Sequence, residues 1–329
     1  MEYNFLGRTG LHVSKICLGT FNFGRLTNEK DAHRIMDRAV DKGVNFFDTA
    51  NHYPDFVNCG RTESIIGSWI KNNKSKRDKI IIGTKVYQPM METDNPNDVP
   101  GLSKYKIRRH LNDSLRRLKT DYIDLYQMHH IDRRASWEET WEAFETEVNQ
   151  GKVTYIGSSN FPAWQLALAQ SSAKNRNFLG LVSEQHKYNL LCRLPELEVL
   201  PAAFNLGIGV IVWSPLESGL LAGNLNIKDK NSRRSEMIKV RSKTDSGLQK
   251  RLSKYSALCK KIGEKEANVT YAWILNHVAI SSIIVGPRTL KQFNDTLGAL
   301  NTELTDDMFE EIDKIFPGPG RQAPEAYAW

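Results

Sequence analysis

Short runs that are apolar along most of their length, and rich in Ile, Val and Phe, recur through the 329-residue chain. They read KICLGT (15–20), NFFDTA (45–50), KIIIGTK (79–85), DLYQMHH (124–130), VTYIGSSN (153–160), LVSEQH (181–186), VIVWSP (210–215) and SIIVGP (282–287). Between them apolar residues fall three or four positions apart, as in Ala32, Ile35, Met36, Ala39 and Val40, or Ile107, Leu111, Leu115 and Leu118. That is the period of a helix with one buried face. A strand apolar on both faces belongs in a parallel sheet covered by helices. Eight such alternations in one chain predict a single domain, residues 1–329, folded as an α/β (β/α)8 TIM barrel. The competing doubly wound sheet lacks a G-x-G-x-x-G after any strand, and there is no Walker A loop. Ahead of the first unit, YNFLGRTGLHVS (3–14) predicts a small β-hairpin turning at Gly7 to Gly10, a plug across the barrel bottom.

Composition narrows the function classes. The chain is 40% hydrophobic, enough for a sizeable core. Its first residues lack the basic start and apolar core of a secretion signal, and no apolar run approaches the ~18 residues of a membrane span, so a soluble, cytoplasmic protein with no membrane partner is expected. Cysteines 17, 59, 192 and 259 lie far apart with no zinc-type spacing, so reduced thiols and no metal site are expected, with Cys17 in the core. The net charge of +7 is concentrated: residues 228–251 hold nine Lys or Arg against three acids, a surplus of six. These bases are not interleaved with aromatics, which argues against nucleic acid and for a solvated loop or a lid over a phosphorylated ligand.

In a barrel of this kind, chemistry gathers at the C-terminal ends of the strands. Asp48 ends the second run with Tyr53 in the loop beyond it, Lys85 ends the third, and His129 and His130 end the fourth. Singly these are a turn-forming Asp, a rim Tyr, a snorkelling Lys and a core His; together they would converge at one mouth. A tyrosine titrates near ~10 and is a poor acid at neutral pH, but a neighbouring ammonium lowers that value. Lys85 would supply the charge, Asp48 would hold it, and His129 would be a second donor or part of a proton relay. His130 is expected to point away, since successive strand residues alternate in direction. The set suits a carbonyl whose oxygen is protonated while its carbon is attacked. No side chain supplies a hydride, so a reduction needs a cofactor.

The stretches GRTGLHVSKICLGTFNFG, FFDTANHY, GTK, SLRRLKTDYIDLYQMHH, GKVTYIGSSNF, SEQHKYNLL and IVGPRTLKQF resemble the aldo-keto reductase family across essentially the whole chain, near its potassium-channel β-subunit and sugar-ketoreductase branches. The resemblance implies NADPH bound without a Rossmann motif, with Tyr53 as general acid, Lys85 and Asp48 tuning it, and His129 orienting the carbonyl. It places Gly19, Thr20, Phe21 and Asp48 beside the cofactor, with Ser159, Asn160 and Gln185 on the nicotinamide carboxamide and Trp213 stacked on its ring. Ser214, Pro215, Leu216 and Gly219 would run beneath the pyrophosphate. Gly286, Arg288, Thr289 and Gln292 would form the 2′-phosphate pocket, favouring NADPH over NADH. At the adenine contact this chain has Asp295 and Thr296 where many relatives carry Glu-Asn.

Phe23 and Tyr87, with Tyr53 and His129, are the expected substrate contacts. Residues 87–105 form a long insertion expected to shape the rim. The tail, with Tyr327 and Trp329, is expected to close over the site or join a subunit contact, and the oligomeric state is left open, a homo-oligomer included. The expected partner is a small-molecule carbonyl: an aldehyde, a ketone or a keto-sugar. Two other functions use the same residues: an NADPH-sensing, β-subunit-like binding protein, and an aldolase-like Schiff base on Lys85.

Overall fold

The computed structural model describes residues 1–90, 95–223, 240 and 245–320. A two-stranded antiparallel hairpin, β1 (Tyr3–Phe5) and β2 (His12–Ser14), precedes eight parallel strands that close into a barrel. These are β3 (Ile16–Gly19), β4 (Phe46–Asp48), β5 (Ile81–Val86), β6 (Ile123–Met128), β7 (Val153–Ser159), β8 (Leu181–Lys187), β9 (Gly209–Trp213) and β10 (Ile280–Val285). Closure runs β3 through β10 in chain order, with β10 pairing back onto β3. All eight apolar runs thus become barrel strands.

The helices form the outer ring: α1 (Glu29–Asp41), α2 (Arg61–Asn72), the short α3 (Lys74–Arg77), α4 (Lys104–Leu118), α5 (Trp137–Asn149), α6 (Ala163–Asn175) and α7 (Val199–Leu206). They continue with α8 (Leu248–Ile262), α9 (Glu266–Leu275), α10 (Leu290–Thr296) and α11 (Asp306–Ile315). Asn28 caps α1 by accepting from the Asp31 N–H, and Ala32, Ile35, Met36 and Ala39 are its buried stripe. Ser103 caps α4 in the same way, and Ile107, Leu111 and Leu118 lie buried against the sheet.

Inside the barrel the two-residue period of a strand separates layers. Phe46, Ile81, Leu125, Val182 and Ile211 fill the lower interior with Cys17, Leu6 and Val13, the last two contributed by the hairpin. Two residues further along their strands stand Asp48 and Gln127, and Lys85 lies four beyond Ile81. An apolar floor therefore carries a polar layer at the mouth. The hairpin closes the floor: Gly7 has φ +58°, and a Cβ there would lie 2.4 Å from the Gly207 carbonyl oxygen and 2.7 Å from the Gly209 nitrogen. Only glycine lets this turn press against the start of β9.

Among the described residues all four cysteines are free, with Cys17 buried, and no helix is long and apolar enough to cross a membrane. Most of the basic 228–251 segment lies outside the described residues. Lys250 and Arg251 fall in the first turn of α8, where Arg251 pairs with Asp245. Tyr327 and Trp329 also lie outside them.

Candidate active site

β4 and β5 are neighbours, and their register pairs Asp48 with Gly83, two residues before Lys85. This sets the Lys85 ammonium 2.6 Å from Asp48 Oδ2, and it also donates to the Thr49 carbonyl at 2.8 Å. Lys85 is fully buried and Asp48 nearly so. The other carboxylate oxygen, Oδ1, accepts from Gln185 Nε2 at 2.8 Å and Gln127 Nε2 at 3.1 Å, and Gln185 also donates to Gln127 Oε1 at 3.1 Å. A buried ion pair is stable only when its remaining hydrogen-bonding capacity is filled, and the two glutamines fill it.

Tyr53 sits above this pair. The Lys85 ammonium lies 5.1 Å from the centroid of the Tyr53 ring. Burial disfavours the ammonium, but Asp48 and Tyr53 outweigh it and hold the Lys85 pKa above the ordinary lysine value. The phenol itself lies above its ordinary value, because burial exceeds the opposing pull of Lys85 and Asp48 adds to burial. The expected lowering by Lys85 is present but does not win in this state.

His129 converges on the same mouth, its ring centroid 6.0 Å from that of Tyr53. Burial, then Lys85 and the neighbouring imidazoles, push its pKa well below the ordinary range, so the ring is neutral at pH 7. Its Nδ1 is buried with no hydrogen-bond partner among the described residues. His130 does not point away: its ring stacks on His129 at 5.2 Å and 5°, with Tyr87 edge-on at 5.3 Å. β6 ends at Met128, so both histidines lie past the strand, where alternation no longer applies.

Sequence reasoning passed over His52 and Gln127. His52 packs 5.0 Å from His129 and 5.5 Å from Phe56, and burial lowers its pKa to about 4. The signal for Gln127 was an amide inside an apolar strand, on the same face as Leu125. His52 carried no signal apart from adjacency to Tyr53.

The remaining candidates ring the mouth. Thr20 is buried and donates to the Asp48 carbonyl, and Gly19 passes β10 so closely that a Cβ would lie 2.5 Å from Ile284 Cγ2. The Phe21 ring meets Tyr53 edge-on at 5.0 Å. Phe23 is fully buried in the core instead of lining the mouth, because the Phe23 N–H bonds the Thr20 carbonyl and turns the chain inward. Ser159 donates to the Gln185 carbonyl, Asn160 to the His129 carbonyl, and the Trp213 indole to Asn160 Oδ1 at 3.1 Å. Ser214, Glu217, Ser218 and Gly219 have positive φ, and Pro215 and Leu216 lie between them. The Gly219 N–H is spent on the Leu216 carbonyl at 2.9 Å. Gly286 and Arg288 are exposed at the end of β10, and Arg288 makes no ion pair among the described residues. Thr289 caps α10, Gln292 accepts from the Arg288 N–H, and Asp295 meets Lys265 at 3.4 Å.

This donor set fits a dinucleotide. Trp213 ends β9, and the exposed Gly286 and Arg288 follow β10, its neighbour in the barrel, while Tyr53 follows β4 and His129 follows β6. The sequence profile of the Aldo/keto reductase family matches residues 15–316, and the chain belongs to that family. An uncharacterized oxidoreductase of Bacillus subtilis, YrpG, is 55% identical over the whole of both chains. A probable voltage-gated potassium channel subunit beta of Arabidopsis thaliana is 33% identical, covering 99% of this chain and 100% of its own. A putative aryl-alcohol dehydrogenase of Schizosaccharomyces pombe is 30% identical over 95% of both.

Proposed function

We propose that the protein reduces a small-molecule aldehyde, ketone or keto-sugar to an alcohol with NADPH. The observation that carries this reading is the buried Asp48–Lys85 pair, 2.6 Å apart, with its ammonium 5.1 Å from the centre of the Tyr53 ring. Tyr53 is protonated across the neutral range and so can give its proton to a carbonyl oxygen. The phenolate left behind faces the Lys85 ammonium, which Asp48 keeps charged and Gln127 and Gln185 keep in place. His129, as a neutral imidazole, orients the same oxygen without competing as an acid.

Bound NADPH would supply the hydride. Trp213 would carry the nicotinamide face. The Gln185 N–H groups are engaged by Asp48 and Gln127, which leaves its oxygen for the carboxamide. Arg288, with Thr289 and Gln292, would receive the 2′-phosphate, where a planar guanidinium suits a dianion.

The test is consumption of NADPH and of NADH with a panel of aldehydes, ketones and keto-sugars. Turnover that prefers NADPH supports the reading. Tight NADPH binding with no turnover of any carbonyl would favour the alternative, an NADPH-sensing binding protein, which the similarity to a channel β-subunit keeps in view.

A further inference from the structure

The segment carrying Tyr53 is tied to the barrel through its backbone. The Thr49 N–H bonds the Gly83 carbonyl at 2.8 Å, the Asn51 N–H the Lys85 carbonyl at 3.3 Å, and the Tyr53 N–H the Ala50 carbonyl at 3.2 Å. One side chain of this segment reaches outward instead. Asn51, fully buried, lies with Nδ2 2.8 Å from His110 Nδ1 on α4. His110 is 2% exposed, and its Nε2 lies 2.8 Å from Asp98 Oδ1. Asp98, 5% exposed, is also 3.4 Å from the Lys106 ammonium, which donates to the Val99 carbonyl at 2.6 Å.

The directions of these bonds agree. A carboxylate can only accept, so His110 carries its proton on Nε2, and Nδ1 is left to accept from the Asn51 amide. Burial, helped by the Lys106 charge, lowers the His110 pKa to about 4, which keeps this one tautomer at neutral pH. Asn51 Oδ1 has no partner among the described residues, so the side chain is held through its N–H. A buried polar chain carries a desolvation cost that an apolar pair would avoid. What it adds is a fixed direction for each member. Asp98 belongs to the insertion after β5, which is tied to the mouth where the Gly101 N–H bonds the Tyr87 carbonyl at 3.0 Å and the Leu102 N–H bonds Asp132 at 2.9 Å.

We propose that His110 is a positioning residue: braced by Asp98, it fixes Asn51 and thereby the placement of Tyr53 beside Lys85. The kinetic part of this proposal rests on the reductase reading above.

The test compares wild type with His110→Ala, Asn51→Ala and the double variant, using Ile107→Val on the same buried face of α4 as the packing control. Two readouts are taken: kcat and KM with a carbonyl that the wild type reduces, and the 13Cζ-tyrosine NMR resonance of Tyr53, assigned with Tyr53→Phe. Misplacing a reacting group by about 1 Å can cost ~100-fold. His110→Ala and Asn51→Ala are each expected to lower kcat by about 10- to 100-fold, with KM and NADPH affinity little changed. Both should shift or broaden the Tyr53 resonance, the double variant should add little to either single one, and Ile107→Val should leave both readouts in place. Unchanged kcat and an unchanged resonance in both single variants would overturn the proposal, as would equal effects from Ile107→Val. If the wild type turns over no carbonyl, the resonance still decides: a shift in both variants supports the brace while the reductase reading fails, and no shift overturns the brace. If His110→Ala does not fold, Asn51→Ala decides alone.

Discussion

Replacing Asp48 by Asn tests the buried pair at the base of the site. The carboxylate accepts from Lys85 with one oxygen and from Gln127 and Gln185 with the other. An amide has only one acceptor. If it faces Lys85, two buried glutamine N–H groups meet an NH2; if it faces the glutamines, an ammonium with no solvent exposure meets one. Breaking a buried pair by removing one partner costs about 3–5 kcal/mol, and each stranded donor about 1–3. A loss of about 3–5 kcal/mol in urea unfolding at pH 7 is therefore expected, followed by tryptophan fluorescence. The sign of its pH dependence follows from Lys85. In the wild type its pKa is raised, so its contribution is fully present through pH 7 to 10 and is lost only as pH rises through the folded value. In Asp48→Asn the largest influence opposing burial is gone and burial depresses it, so the variant gains stability as pH rises toward the unfolded lysine value near ~10.4. The gap between the two proteins should narrow from pH 7 to pH 10. A loss under about 1 kcal/mol, or a gap independent of pH, would refute the account of a desolvated, mutually dependent pair.

Two further outcomes follow from single side chains. His110 has a folded pKa of about 4 against an ordinary 6.5, so the stability it contributes is present above pH 6.5 and is lost as pH falls toward 4. Between pH 7 and pH 5 the wild type should lose about 2 kcal/mol more than His110→Gln in urea unfolding; equal losses would contradict the buried neutral imidazole. Arg288→Ala should weaken NADPH binding by about 10- to 100-fold, the worth of a charged hydrogen bond, while leaving NADH binding nearly unchanged, as read by titration of nicotinamide fluorescence.

The architecture was legible because parallel strands covered on both faces leave long apolar runs, and because Gly7 and Gly10 punctuate the hairpin. Asp48, Tyr53 and Lys85 were legible as one cluster because strand ends in a closed barrel must converge. Other features depend on facts a linear reading does not contain. His130 was misplaced because nothing marked Met128 as the last strand residue. The burial of Phe23 follows a turn at Thr20 that its local sequence does not mark, so the linear pattern points to a pocket wall instead. The net direction of the Tyr53 shift depends on how deeply the phenol sits, and burial is set by the assembled loops. The chain from Asp98 through His110 to Asn51 joins three separated segments, each residue of which looks ordinary in its own stretch.

The central claim is that Tyr53 gives the proton, and Tyr53→Phe tests it most directly, because the ring and its packing on Phe21 are retained while the hydroxyl is lost. We expect kcat for carbonyl reduction to fall by about 100-fold or more, with the NADPH dissociation constant unchanged. A Tyr53→Phe protein that reduces the same carbonyl at the wild-type rate would contradict the account.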